Sequence, residues 1–114
     1  MEYRLFLDDM RKPTRIYPDT LNTQWVHVQN FESFVKTIET HGLPTYISFD
    51  HDLAEEHYAP LLPNQTYKHK TGLDCATWLV QYCVAHHQQI PEYKIHSLNP
   101  KGKVAIQTAL RAYC

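Results

Sequence analysis

Four carboxylates stand at the ends of two short apolar runs, at 5–7 and 46–49. They are Asp8, Asp9, Asp50 and Asp52. Carboxylates gathered in one place repel each other unless a cation lies between them, and such hard oxygen ligands suit Mg²⁺ or Mn²⁺. The alternative interpretation is that Asp8 or Asp9 caps a turn and that Asp52 starts one. A pair of acidic residues at each of two strand ends favours the metal site, and all four carboxylates are its predicted ligands.

Two histidines follow apolar runs in the same way. His51 lies between Asp50 and Asp52, and His96 is followed by Ser97. An imidazole titrates near neutral pH and can therefore accept or donate a proton during catalysis. The alternative is that each histidine is partly buried and makes one backbone hydrogen bond. The predicted catalytic residues are Asp50, His51, His96 and Ser97. Four further histidines are interpreted as structural, namely His27, His41, His86 and His87.

The segment 97–103 is predicted to begin a helix, with Asn99 as N-cap and Pro100 at the first helical position. Free backbone N–H groups at a helix start, together with polar side chains and lysines, favour a phosphate-sized anion. The predicted phosphate-binding residues are Ser97, Asn99, Lys101 and Gly102. The segment alone is better explained as a simple Asn cap with solvated lysines. A cation, an anion site and acid–base groups together, however, are what phosphoester chemistry needs.

Strands and helices alternate along the chain, which predicts an α/β fold. The predicted strands are 3–7, 24–28, 46–49 and 93–97, and the predicted helices begin at 31, 72 and 100. Pro13 and Pro18 argue against a long helix in the loop 8–23. We therefore expect a three-layer, mostly parallel sheet of four to five strands. If the first and third strands are neighbours, their carboxylates converge at the edge where open α/β sheets bind ligands.

A long loop at 53–70 separates the third strand from the second long helix. Loops of this length in small domains are typically functional lids. Its aromatic and basic side chains could stack on a nucleotide and neutralise it. The predicted substrate residues of this loop are Tyr67, Lys68 and Lys70.

The length of the chain predicts one domain over residues 1–114. Because the formal net charge is −1, we expect no overall electrostatic attraction to nucleic acid or to anionic membranes. The chain has three cysteines, and Cys75 and Cys83 are predicted to lie too far apart on one helix to form a disulfide. No apolar run is long enough to span a membrane. We expect a cytoplasmic protein that does not bind membranes; the sequence does not predict its oligomeric state.

These motifs together resemble the cyclic-phosphate-processing receiver-like family, which includes the phage modifier of suppressor tRNAs. The similar segments are 5–9 with Arg11 and Pro13, 47–53, 71–83 and 96–102. The resemblance implies a receiver-like (flavodoxin-like) fold and activity on a cyclic phosphate at an RNA end or on a nucleotide derivative. For a phage-encoded member, the location would be the host cytoplasm. The implied site residues are Asp8 and Asp9, Asp50 to Asp52, and His96, Ser97 and Asn99.

The chain also differs from receivers that accept a phosphoryl group. The sequence predicts four strands rather than the five of a receiver, which makes the fold a truncated one, and no lysine ends a final strand. The leading hypothesis is thus a phosphoesterase that opens a cyclic phosphodiester with the help of a divalent metal ion, Mg²⁺ or Mn²⁺. Three alternatives remain open: a metal-free reaction using both histidines, a receiver module phosphorylated on Asp50, and a protein that sequesters a cyclic nucleotide.

Overall fold

The computed structural model describes residues 2–16, 25–53 and 70–112. Within these residues four strands form one parallel sheet in the order β2-β1-β3-β4. The strands are β1 (Arg4–Leu7), β2 (Trp25–Val28), β3 (Tyr46–Phe49) and β4 (Glu92–Ile95). The helices are α1 (Pro13–Ile16), α2 (Phe31–His41), α3 (Gly72–Ala85) and α4 (Pro100–Arg111). The predicted α/β class and parallel sheet are confirmed.

The first and third strands are neighbours, which is the condition for their carboxylates to converge, and β1 lies between β2 and β3. Two differences from the expectation are larger than a one-residue shift of a strand boundary. The last strand ends at Ile95 rather than at Ser97, and the loop after β1 contains the four-residue helix α1. Pro13 begins α1, where a proline lacking its N–H is tolerated. The region that was expected to be a loop is therefore partly helical.

The core lies between the helices and one face of the sheet, and every second residue of a strand points to that face. Leu5 and Leu7 of β1 and Ile47 and Phe49 of β3 are fully buried. The long helices complete this core with residues at helical spacing. They contribute Phe34 and Ile38 from α2, Cys75, Leu79 and Cys83 from α3, and Ile106 and Leu110 from α4.

The opposite face of the sheet carries aromatic and polar side chains near the edge where the strands end. Phe6 is fully buried there and makes edge-to-face contacts with Trp25 and His27. Ser48, which pairs with Phe6 across the strands, is also fully buried. A buried hydroxyl in a strand needs a hydrogen-bonding partner, and this one lies in the candidate site described below.

The N-terminus of α3 packs directly against the end of β3. The N–H of Gly72 donates to the carbonyl of His51 at 2.8 Å. A Cβ atom at position 72 would lie 2.9 Å from the carbonyl carbon of Asp50, which explains why glycine stands there. The N–H of Thr71 donates to the Asp74 carboxylate at 2.7 Å, and this contact caps the start of the helix.

Two cysteines of α3, Cys75 and Cys83, are buried in the core as free thiols. None of the helices among the described residues combines the length and the apolar character that crossing a membrane requires. The predicted lid lies mostly outside the described residues, and with it Tyr67 and Lys68.

Candidate functional site

Asp8, Asp50 and His96 form a row across three neighbouring strands. Each follows the last residue of its strand, and the strand pairing continues through them: the N–H of Asp50 donates to Leu7 at 3.0 Å and that of His96 to Phe49 at 2.9 Å. One possible ligand atom from each residue lies within 4.8 Å of the others. The parallel register therefore brings two carboxylates and an imidazole to one point.

The Asp8 carboxylate is fully buried and accepts four hydrogen bonds. The backbone N–H groups of Met10 and Arg11 donate to Oδ1 at 2.9 and 2.8 Å. Arg11 Nε and His96 Nε2 lie 2.9 and 3.0 Å from Oδ2. Burial, the largest influence, acts to raise the pKa of Asp8, but the hydrogen bonds from His96 and the backbone and the Arg11 charge lower it to about 2. Asp8 is therefore ionised and anchors the other groups.

Arg11 also faces the second carboxylate. Its Nη2 lies 3.7 Å from Asp50 Oδ2, and its side chain is only 16% exposed. Burial, followed by the negative charge of Asp8, raises the pKa of Asp50 to about 7, although the guanidinium acts in the opposite direction. The two neighbouring carboxylates are thus unequal, because Asp8 is fully ionised at neutral pH whereas Asp50 is close to its midpoint of titration.

His96 is held through both of its ring nitrogens. Its Nδ1 lies 2.6 Å from Ser48 Oγ and its ring stacks on Phe6 with centroids 4.6 Å apart. Burial lowers the pKa of His96, although the Asp8 carboxylate acts to raise it. The neutral ring consistent with this environment donates from Nε2 to Asp8 and accepts the Ser48 hydroxyl hydrogen at Nδ1. This arrangement suits a residue that positions Asp8 more than one that exchanges protons.

Replacement of Ser48 by alanine is expected to raise the pKa of His96 and to destabilise the fold by about 1–2 kcal/mol. The hydroxyl donates to the lone pair of the neutral ring, so its loss disfavours the neutral form. The pKa of His96 can be followed by the ¹⁵N shifts of the ring during a pH titration. A pKa that is unchanged or lower in Ser48→Ala would contradict this hydrogen-bond direction.

A second group of side chains lies around His51. Its Nδ1 is 2.9 Å from Asp52 Oδ1, and Asn99 Nδ2 donates to the same oxygen at 3.2 Å. Gly102 of α4 packs on the imidazole so closely that an added Cβ would lie 2.7 Å from His51 Nδ1. A carboxylate on Nδ1 favours the tautomer in which Nε2 has the free lone pair. Asp52 can therefore orient His51 as a base.

The start of α4 lies beside this second group and is capped as predicted. Asn99 Oδ1 accepts the Gly102 N–H at 3.0 Å, and the Asn99 carbonyl accepts the Lys103 N–H at 2.9 Å. The Ser97 hydroxyl accepts the Asn99 N–H at 3.1 Å. Two helix-start amides are therefore used within the cap, while the helix dipole and the exposed Lys101 side chain can still attract an anion.

The remaining predicted residues lie elsewhere or outside the described chain. Asp9 is half-buried and, among the described residues, is not part of the cluster of possible metal ligands. Asp52 belongs to the His51 group. Lys70 is exposed, with Nζ 4.9 Å from the ring centroid of Phe31 at the start of α2. Tyr67 and Lys68 fall in 54–69 and stay predictions.

Three residues that contact the site were not predicted to do so. Arg11 was noted only as part of a motif, although its spacing from Asp8 allows an ion pair across one turn. Ser48 interrupts an otherwise apolar strand, and this polar residue could have indicated a hydrogen bond to a site residue. His27 was interpreted as structural without a polar partner, but its Nε2 donates to the Asp8 carbonyl at 2.7 Å. That histidine therefore supports the loop that carries Asp8.

Comparison with known protein families gives one match over almost the whole chain. The family described as the cyclic-phosphate processing receiver domain matches residues 3–112. Searches among curated proteins and among solved structures found no match. The family match covers every site residue named above, and it agrees with the resemblance expected from the motifs.

Proposed function

Since the chain belongs to the cyclic-phosphate processing receiver domain family, we propose that it is a phosphoesterase that opens a cyclic phosphate on an RNA end or a nucleotide derivative. One observation carries this proposal. Two successive residues, Asp50 and His51, lie in two adjacent groups of polar side chains at the end of β3. The first group offers a cation site and the second offers an oriented base beside a helix start, so the two can act on one phosphate.

In this proposal His51 is the general base. The hydrogen bond of Asp52 to Nδ1 leaves Nε2 to accept a proton from the attacking water. The water oxygen forms a bond to phosphorus while the bond from phosphorus to one ribose oxygen breaks. That ribose oxygen takes up a proton from solvent water, His51 returns the proton that it accepted to solvent, and the product is a phosphate monoester.

The phosphate is proposed to lie at the start of α4. Ser97 can donate its hydroxyl hydrogen to a phosphate oxygen, because its hydroxyl oxygen is the acceptor in the contact with Asn99. The positive end of the helix dipole and Lys101 supply further attraction for the anion. Asn99 and Gly102 support the phosphate by fixing the helix start against Asp52 and His51.

The row of Asp8, Asp50 and His96 would hold the divalent cation. The two carboxylates suit Mg²⁺ or Mn²⁺, and the His96 imidazole could join them as a donor to Mn²⁺ only by giving up a hydrogen bond, either that of Nε2 to Asp8 or that of Nδ1 to Ser48. Their ligand atoms lie within 4.8 Å of one another, so this donor set fits a cation. A bound cation would neutralise charge on a non-bridging phosphate oxygen and favour ionisation of a water. Asp9 and Asp52 stay predicted ligands.

A metal-free form of the reaction remains an alternative, and it needs a proton donor for the leaving oxygen. Asp50 and His96 are the two predicted catalytic residues that could donate this proton, and Asp50 is the better suited of the two. The pKa of Asp50 is raised to about 7, so about half of the Asp50 carboxyl groups keep a proton at neutral pH, whereas burial lowers the pKa of His96. In this form Asp50 would donate the proton, and His96 would hold Asp8.

The proposed activity can be tested by ³¹P NMR with a 2′,3′-cyclic nucleotide or a cyclic-phosphate-ended RNA, in Mg²⁺, Mn²⁺ or EDTA. We expect a monoester signal, and turnover at least about 100-fold slower in His51→Gln, because general base catalysis is typically of that size. His86→Gln changes the exposed histidine that follows α3 and serves as the matched control. Suppression by EDTA favours the metal-assisted form. An unchanged spectrum in every condition would reject the activity.

A receiver module phosphorylated on Asp50 is the second candidate. The observation that favours it is the place of Asp50 at the end of an inner strand, beside the ionised Asp8. Stable phosphoryl incorporation from acetyl phosphate in wild type, absent in Asp50→Asn, would support this candidate. Tight binding of a cyclic nucleotide that stays intact would instead favour a sequestering protein.

A further inference from the structure

We propose that Arg11 is a place-holding cation that occupies the space between Asp8 and Asp50 until a divalent cation enters. This inference rests on the metal-assisted form of the proposed function. Its basis is the position of the guanidinium group, which reaches both carboxylates from a residue in the loop after β1. Arg11 thereby supplies the positive charge that two neighbouring carboxylates require.

The two ends of the guanidinium group are held unequally. Nε lies 2.9 Å from Asp8 Oδ2, within hydrogen-bond distance, whereas Nη2 lies 3.7 Å from Asp50 Oδ2, beyond it. The contact with Asp8 is reinforced by the Arg11 backbone N–H, which donates to Oδ1 of the same carboxylate. The Asp50 contact is thus the one that can open while Arg11 stays attached to Asp8.

A divalent cation would compete with Arg11 for the same oxygens. Asp8 Oδ2 already accepts from Arg11 Nε and His96 Nε2, and Arg11 Nη2 faces Asp50 Oδ2. A cation bound to Asp8 and Asp50 would also repel the guanidinium group, which would lie only a few ångströms away. Binding of the cation is therefore coupled to withdrawal of Nη2 from Asp50, and Arg11 lowers the affinity of the site for the cation.

Mn²⁺ affinity of the substrate-free protein, measured by the EPR signal of free Mn²⁺, tests this inference. Arg11→Gln is expected to bind Mn²⁺ about tenfold more tightly than wild type, because a neighbouring positive charge is lost while a donor for Asp8 remains. Lys12→Gln removes the same formal charge from an exposed neighbour and is expected to stay within twofold of wild type. Arg11→Lys keeps the charge and is expected to stay within threefold.

Unchanged or weaker Mn²⁺ binding in a folded Arg11→Gln would overturn the inference, as would equal tightening in Lys12→Gln or Arg11→Lys. A second measurement needs no variant. During a Mg²⁺ titration of wild type, the ¹⁵N signals of the Arg11 guanidinium should shift and saturate with the site, and unperturbed signals at saturation would also overturn it. Absence of Mn²⁺ binding to wild type rejects the inference, whereas ring opening in EDTA would still uphold the proposed activity.

Discussion

Alanine at position 102 is expected to destabilise the fold by about 2–4 kcal/mol and to reduce ring opening at least about 100-fold. The added methyl group would lie 2.7 Å from both Cβ and Nδ1 of His51, so the imidazole or the start of α4 has to move. The Ala-for-Gly change inside a helix would otherwise be favourable by up to about 1 kcal/mol. Urea unfolding followed by circular dichroism, together with the ³¹P assay, measures both effects.

A double-mutant cycle separates this steric conflict from other effects. In a His51→Ala background the imidazole is gone, so Gly102→Ala is expected to be neutral or stabilising. Lys103→Ala, on the exposed surface of α4, is the control for general effects on the helix and is expected to change stability by less than about 0.5 kcal/mol. Wild-type stability in Gly102→Ala, or an equal cost in both backgrounds, would show that the packing of His51 on α4 is not tight.

The row of Asp8, Asp50 and His96 was largely predictable from the sequence. Each residue ends an apolar run, and the carboxyl ends of parallel strands meet at one edge. The convergence also required that β1 and β3 are neighbours, and the sheet order meets this condition. The bounds of the last strand were predicted incorrectly, because the residue pattern alone does not show where pairing between strands stops. The predicted strand included His96, which instead follows the strand as the site residue.

The division of the site into two groups was not predicted. Asp50 and His51 are adjacent in sequence, and successive residues of an extended chain point to opposite faces. His51 therefore faces α4 and Asn99, whereas Asp50 faces Asp8 and Arg11. If this alternation of side-chain direction had been extended beyond Phe49, it would have predicted that Asp50 and His51 face opposite sides. The contact with Gly102 could not have been derived, because it depends on how α4 docks on the sheet.

Replacement of Asp50 by asparagine is expected to stabilise the protein at pH 8 by up to about 4 kcal/mol, since three pKa units correspond to about that free energy. The pKa of Asp50 is raised from 3.8 to about 7 in the folded protein, because burial and the Asp8 charge disfavour the carboxylate. Between about pH 4 and 7 the folded state then binds more protons than the unfolded state, so wild-type stability falls as pH rises. Asparagine removes this loss, because it carries no charge.

The stability difference between Asp50→Asn and wild type should thus be small below pH 4 and largest above pH 7, and urea unfolding across this range measures it. Asp9→Asn, at the same edge of the sheet, is the control for a general loss of negative charge. Equal pH-dependent stabilisation in both variants would contradict the prediction. Mn²⁺ should raise the melting temperature of wild type but not of Asp50→Asn, because the cation stabilises the carboxylate that the variant lacks. A loss of stability when the carboxyl ionises is expected of a group in a site arranged to hold a cation, and not of a group in a structural ion pair.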